Sequence, residues 1–211
     1  MKRVFGTIET AIVDTQALLQ VFAGYKKPRE AILNRVKSGD LIRLKNGLYL
    51  INDRITSGNE TVIPYEQIAN LLYGPSYVSM EWALSFYGMI PERVHGVTSM
   101  TLGRHKEYQT PVGDFCYYPL SANRYSIGVG LKKSADFVGG FFIATPEKAL
   151  ADWVFKTCND LNKEDLKKEL LESKRMSQEQ LRELDKELLN HIAKAYRAKS
   201  VDTLTEVIGL I

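Results

Sequence analysis

Hydrophobic and polar positions follow a helical spacing at the start of the chain. Ile8, Ala11 and Ile12 recur at three- and four-residue intervals and predict a first helix. Ala17, Leu18 and Phe22 repeat the interval behind Asp14, a residue type that caps helix N-termini, with Gly24 placed to end that second helix in a left-handed turn. Pro28 suits the first turn of a third helix, where its missing N–H would have no partner anyway. That helix runs to about Ser38, burying Ala31, Ile32 and Val36, and stops at Gly39. The period then shortens. Leu41-Ile42-Arg43-Leu44 and Leu48-Tyr49-Leu50-Ile51 flank a turn at Lys45-Asn46-Gly47, and Asn-Gly between apolar runs is a strong hairpin signal. Three helices followed by a two-stranded wing is the order of a winged helix-turn-helix, assigned to residues 1–54.

Residues 52–63 are polar and include Ser57-Gly58-Asn59, which marks a linker. A second domain, residues 64–211, begins with a helix on Tyr65, Ile68, Ala69 and Leu72, closed by Gly74-Pro75. A further helix is capped by Ser79, with Met80, Ala83, Leu84 and Tyr87 inward and Gly88 at its end. Between residues 97 and 144 the pattern changes to short β-rich runs: Val97–Leu102, Tyr108, Phe115–Tyr118, Ser126–Leu131 and Phe141–Ala144. Thr110-Pro111-Val112-Gly113 has the residue types of a type I turn. Thr145-Pro146-Glu147 opens a helix whose apolar face is Ala149, Leu150, Trp153 and Val154. The last fifty or so residues read as helices, one capped by Asn162. A longer one starts at a capping box of Ser177 and Gln180 and bears Leu181, Leu184, Leu188, Ile192 and Ala195. The fold class expected is therefore α+β: a winged helix-turn-helix, then a larger mixed domain with a helical C-terminus.

Charge sharpens this division. The whole chain carries a formal charge of +3. Residues 1–51 hold nine Lys or Arg (Lys2, Arg3, Lys26, Lys27, Arg29, Arg35, Lys37, Arg43, Lys45) against Glu9, Asp14, Glu30 and Asp40, a net +5. The rest of the chain is then acidic, and a basic module beside it points to a polyanionic partner. Composition is that of a globular protein, 45% hydrophobic and 25% charged, with no apolar run long enough to span a membrane. The basic N-terminus is followed by no apolar signal core, which predicts a cytoplasmic protein. Cys116 and Cys158 sit in no metal-like spacing and read as reduced structural thiols.

In a helix-turn-helix the second helix of the motif enters the major groove, and residues near its N-terminus reach base edges. Here that region is Tyr25-Lys26-Lys27-Pro28-Arg29-Glu30, with Asn34 and Arg35 a turn later. The Arg29 fork matches the two acceptors of a guanine, and Asn34 matches an adenine. Lys26, Lys27 and Lys45 suit phosphate contacts, as does Tyr25. The DNA-binding set read from the residues is thus Tyr25, Lys26, Lys27, Arg29, Asn34, Arg35 and Lys45.

No enzymatic signature competes with this reading. His95, His105 and His191 fall in no metal-ligand spacing, and there is no phosphate-binding G-x-x-x-x-G-K-[ST] loop or G-x-S-x-G nucleophile turn. Gly128-Val129-Gly130 lacks the third glycine of a dinucleotide fingerprint. Glu81 has a structural cause as an acid in a first helical turn. Tyr117, Tyr118 and Tyr125 suit strand packing better than base stacking. No catalytic residue, cofactor or metal is expected. A nucleic-acid enzyme using Glu81, His95 or His105 with a metal is the weakest alternative. A protein-interaction module docking on Leu181, Leu184, Leu188 and Ile192 is the stronger one.

Several blocks also carry a resemblance. Pro75-Ser76-Tyr77-Val78-Ser79-Met80-Glu81-Trp82-Ala83-Leu84, Tyr87-Gly88-Met89-Ile90-Pro91-Glu92 and Val97-Thr98 resemble the core of AbiEi-type antitoxins of type IV toxin–antitoxin systems. Tyr108–Phe115 and Thr145-Pro146-Glu147-Lys148-Ala149-Leu150-Ala151-Asp152 are similar to its later motifs, and Leu41–Tyr49 to its wing hairpin. The resemblance runs from about residue 10 to residue 155. It implies a winged helix that binds operator repeats in duplex DNA through Lys26, Lys27, Arg29, Arg35 and the Lys45-Asn46 wing tip, and represses its own operon. It also implies a larger domain that counters a nucleotidyltransferase-like toxin without a stable complex. It supplies no catalytic residue.

Overall fold

The computed structural model describes residues 4–57, 60–92 and 94–211. Lys2, Arg3, the centre of the expected linker at Gly58-Asn59, and Arg93 lie outside the described residues. The first strand among the described residues, β1 (Ile12–Asp14), lies where a helix over residues 8–12 is expected. Three apolar positions at mixed spacing do not separate a short helix from a strand. Pairing decides the matter: β1 lies antiparallel to β3, with Ile12 opposite Leu50. The β-branched Ile12 and Val13 fit that pleat better than a helix.

From there the expected order returns. Asp14 caps α1 (Thr15–Val21) by accepting the Ala17 N–H at 2.8 Å. Gly24 adopts no left-handed conformation; the helix ends at Phe22, whose ring is fully buried. Pro28 opens α2 (Pro28–Lys37), and Gly39, at φ +81°, turns the chain into β2 (Leu41–Lys45). The turn at Asn46-Gly47 leads to β3 (Leu48–Ile51), giving a sheet of order β1-β3-β2. Leu18, Phe22, Ile32, Leu41, Tyr49 and Ile51 form a small core between this sheet and the two helices.

The sheet's other face is not solvent. Leu44, Leu48 and Leu50 belong to the core of the larger unit, so β3 is buried on both faces and alternate residues serve different cores. The polar stretch after β3 is structured too. It forms α3 (Asn52–Ile55), which buries Ile55, and a small hairpin of β4 (Thr56–Ser57) and β5 (Glu60–Thr61). The Arg54 guanidinium reaches back to donate to the carbonyls of Phe5 and Ile8, which holds the N-terminal turn against this junction.

The larger unit follows as α4 (Tyr65–Leu72), β6 (Ser76–Val78), α5 (Met80–Phe86), β7 (Val97–Thr101), β8 (Lys106–Thr110), β9 (Gly113–Pro119), α6 (Ala122–Tyr125), β10 (Val129–Lys133), β11 (Gly140–Ala144) and α7 (Pro146–Thr157). Its six strands form one mixed sheet of order β10-β11-β6-β7-β9-β8, with β11/β6 and β7/β9 parallel. The remaining helices are α8 (Lys163–Lys168), continued by a π turn at Glu169–Ser173, then α9 (Gln178–Arg182), α10 (Lys186–Tyr196) and α11 (Lys199–Leu210). The long helix expected from Ser177 is broken, because Asp185 caps a new helix by accepting from the Glu187 and Leu188 N–H groups. Leu181, Leu184 and Ile192 are buried in the internal core, and Leu188 packs against it. The chain is thus a mixed α+β protein with a helical C-terminus. Among the described residues, no helix is long and apolar enough to cross a membrane.

Candidate nucleic-acid interface

The face of α2 turned away from the small core carries Arg29, Glu30, Leu33, Asn34 and Lys37, all exposed. Helical spacing puts Arg29, Leu33 and Lys37 on one stripe at successive turns. The inner face fixes the helix: Ile32 is buried, and Tyr25 packs edge-on against the buried Phe22 at 5.2 Å between ring centres. Tyr25, Lys26, Lys27, Asn34 and Arg35 line one shallow cleft of about 510 Å³ along the helix. Arg29 sits on the neighbouring outer side, beside Leu19 and Pro28. Leu33 and Lys37 are absent from the set read from sequence, although the i, i+4, i+8 spacing from Arg29 is a signal that identifies them.

Some cations on this face are already partnered. The Lys27 ammonium lies 2.7 Å from Glu30 in an exposed pair, an interaction worth little in water. Arg35 donates to Asp40 at 2.8 Å, and Ser38 donates to the same oxygen. These hydrogen bonds hold the Asp40 carboxyl below the usual carboxylate range and raise the Arg35 guanidinium above its ordinary value. Arg35 thereby fastens the end of α2 to the start of β2. It is a half-buried staple rather than a free fork.

Lys45 departs furthest from the sequence expectation. Its ammonium does not extend from the tip of the β2–β3 hairpin but donates to the carbonyls of Leu71 at 3.0 Å and Leu72 at 2.6 Å, at the C-terminal end of α4. The cause is a β-bulge. The β2–β3 register shifts between Arg43 and Lys45, so Lys45 lies opposite Leu48 on the face turned to the larger unit. A cation there meets unpaired carbonyls at the negative end of a helix. Burial pushes the Lys45 ammonium below its ordinary value. Asn46 remains exposed at the turn, and Gly47 supplies the positive φ, +85°.

Inside the larger unit lies a polar cluster whose residues are absent from the sequence-predicted site set. Lys148 and Asp152, one helical turn apart on α7, are both fully buried, 3.3 Å from each other. Asp152 accepts from Ser79 at 2.6 Å, from Tyr77 at 3.0 Å and from the Tyr196 hydroxyl. Lys148 donates to the Arg124 carbonyl at 2.6 Å and to Tyr196. Ser79 therefore spends its hydroxyl on Asp152 and makes no side-chain cap for α5, and the next residue, Met80, takes a left-handed φ of +56°. Burial drives the Lys148 ammonium down, against the pull of Asp152, and drives the Tyr77 and Tyr196 phenols up. Its signal in sequence is the Lys148/Asp152 pair at i, i+4 within an otherwise apolar helix. The cluster is closed to solvent and ties together β6, α7 and α10.

No protein family and no curated protein matches the sequence. The fold is similar to the crystal structure of the RV2827C protein from Mycobacterium tuberculosis, with a TM-score of 0.61 over 97% of this chain and 74% of that one, at 13% identity. At that identity the likeness speaks for the fold alone.

Glu81 pairs with Lys174 at 3.5 Å, and His95 is exposed. Tyr117 is buried and donates to the Ala69 carbonyl at 2.6 Å. Tyr125 packs on Tyr77 at 4.9 Å between ring centres. His105 stands at the sheet margin beside Glu107 and Cys116. An apolar cleft of about 680 Å³ lies between Thr10–Ile12, α4 and the β10–β11 hairpin, away from α2.

Proposed function

We propose that the N-terminal unit is a winged helix-turn-helix and that α2 is its recognition helix, docking in the major groove of duplex DNA. The observation that carries this reading is the outer face of α2. It presents Arg29, Leu33, Asn34 and Lys37 to solvent on a helix whose inner face is locked by Phe22 and Ile32. Arg29 addresses a guanine, Asn34 an adenine, and Leu33 offers apolar contact to a thymine methyl. Lys26, Lys27 and Lys37 bind phosphates, with Tyr25 and Asn46 at the edges of the contact. Lys45 and Arg35 act by holding the unit in shape.

In this reading the chain is a cytoplasmic repressor of the AbiEi antitoxin type, binding repeats upstream of its own gene and opposing a nucleotidyltransferase-like toxin. The apolar stripe Leu181, Leu184, Leu188 and Ile192 is spent internally, which removes the surface a protein-docking alternative offered. Fluorescence anisotropy with the upstream duplex tests the DNA assignment. Arg29→Ala is expected to cost about 1–3 kcal/mol, roughly 5- to 150-fold in affinity, and to relax preference at one base pair. Lys26→Ala is expected to weaken all sequences alike and to lower the salt slope by about 1. Equal binding of the upstream duplex and a scrambled one would overturn it. Co-expression with the neighbouring gene tests the antitoxin role: growth rescued by the intact chain supports it, and continued arrest refutes it.

A further inference from the structure

At one edge of the large sheet, β8 and β9 form a hairpin whose register sets Glu107 directly opposite Cys116. Facing residues of an antiparallel pair project to the same side of the sheet, and so does a residue two positions along. Tyr118 follows Cys116 by two and shares its face, and His105, just before β8, meets Tyr118 and Glu107 on that side. The Tyr118 ring lies against the His105 imidazole at 5.3 Å. His105 Nε2 is 3.1 Å from Glu107 Oε1, Cys116 Sγ is 3.9 Å from that same oxygen, and all the donor atoms fall within 4.8 Å of one another. We propose that His105, Glu107 and Cys116 form a binding site for a divalent transition metal of the zinc type.

The donor set fits this class of ion. Imidazole nitrogen, thiolate sulfur and carboxylate oxygen are the ligands zinc takes, whereas magnesium and calcium take oxygen alone. Size fits as well. Bonds of about 2.0–2.3 Å hold the donors of a tetrahedral zinc roughly 3.3–3.8 Å apart. The present spacings brace that range, and the largest adjustment needed is about 1 Å. His105 and Glu107 are exposed side chains, free to make it, while Cys116 is half-buried on a regular strand and acts as the fixed point. Three protein ligands leave a fourth position for water or an incoming group, and the site opens to solvent on the His105 side.

Cobalt(II) reports thiolate ligation directly and substitutes for zinc in such sites. The full-length protein, stripped with a chelator, is titrated with cobalt(II) and then with zinc(II). The expected result is one equivalent bound, with a thiolate-to-cobalt charge-transfer band that zinc abolishes. Cys116→Ser is expected to remove the band, and His105→Ala to weaken binding at least about tenfold, the scale on which even outer-shell partners act. Thermal melts of each variant establish that it is folded, and Glu107→Gln gives a second, near-isosteric probe of the same site. Absence of a band in the wild-type chain, or a band that persists in Cys116→Ser through the buried Cys158, overturns the proposal. So does affinity unchanged in both His105→Ala and Glu107→Gln.

Discussion

Lys45 shows how one backbone irregularity reassigns a side chain. Without the bulge, the strand period would turn its ammonium to the α2 side of the hairpin, where a phosphate contact is plausible chemistry. With it, the ammonium closes the C-terminal carbonyls of α4. Lys45→Met keeps the stem and removes the charge. It is expected to lower stability by about 1 kcal/mol, the scale of a cation at a helix C-terminus, read as a fall in the urea midpoint. The salt slope of DNA binding should stay unchanged, and a slope reduced by one would return Lys45 to the phosphate-contacting set. The same contrast explains what sequence revealed at this scale. Arg29 and Asn34 follow from helical period alone, and both are exposed on α2 as expected. Lys45 and Arg35 depend on a bulge and on a turn carboxylate, neither of which composition announces.

At the scale of elements, α7 is held from two directions. Its apolar residues Ala149, Leu150, Trp153 and Val154 pack in the core, and its Lys148/Asp152 pair is gripped by β6 and α10. Breaking a buried pair by removing one partner leaves an uncompensated charge, a loss of about 3–5 kcal/mol. Lys148→Ala or Asp152→Ala is expected to lose that much by urea unfolding. The double variant Lys148→Met/Asp152→Leu should recover a good part of it, since an apolar pair leaves no orphan charge. Additive losses in the double variant would refute the coupling. Elements themselves are legible where punctuation is strong: Thr145-Pro146 opens α7, Asn162 caps α8 and Asn46-Gly47 turns the β2–β3 hairpin. The turn at Thr110-Pro111-Val112-Gly113 even carries the β8–β9 register, because Thr110 pairs with Gly113 and counting outward sets Glu107 against Cys116. Cysteine spacing along the chain hid what that count reveals. β6, only Ser76-Tyr77-Val78, is too short for any period, and the first helix failed because strand pairing outweighed three apolar positions.

At the scale of the molecule, the larger unit packs on one face of the N-terminal sheet while α1 and α2 pack on the other. Leu44, Leu48, Leu50 and Ile55 are buried against the larger unit's core, while Tyr49 and Ile51 on the same strand face α1 and α2. Each such aliphatic side chain contributes about 1.5–3 kcal/mol on burial. Together they reach the order of the 5–15 kcal/mol that holds a whole small domain folded. A chain of about fifty residues has little core to spare for such a loss. A strand buried on both faces reads in sequence as one continuous apolar run, so the pattern alone does not reveal that two cores share it. The consequence is that residues 1–54, expressed alone, should not form a stable fold, and the intact chain should unfold in one transition. Leu50→Ala in the intact chain should cost about 2–5 kcal/mol and shift that single transition without splitting it. A dispersed amide spectrum from the isolated fragment, or two resolved calorimetric transitions in the intact chain, would show the units to be independent. If they are coupled as the packing requires, anything that strains the larger unit also strains β3, and through Tyr49 and Ile51 the seat of α2.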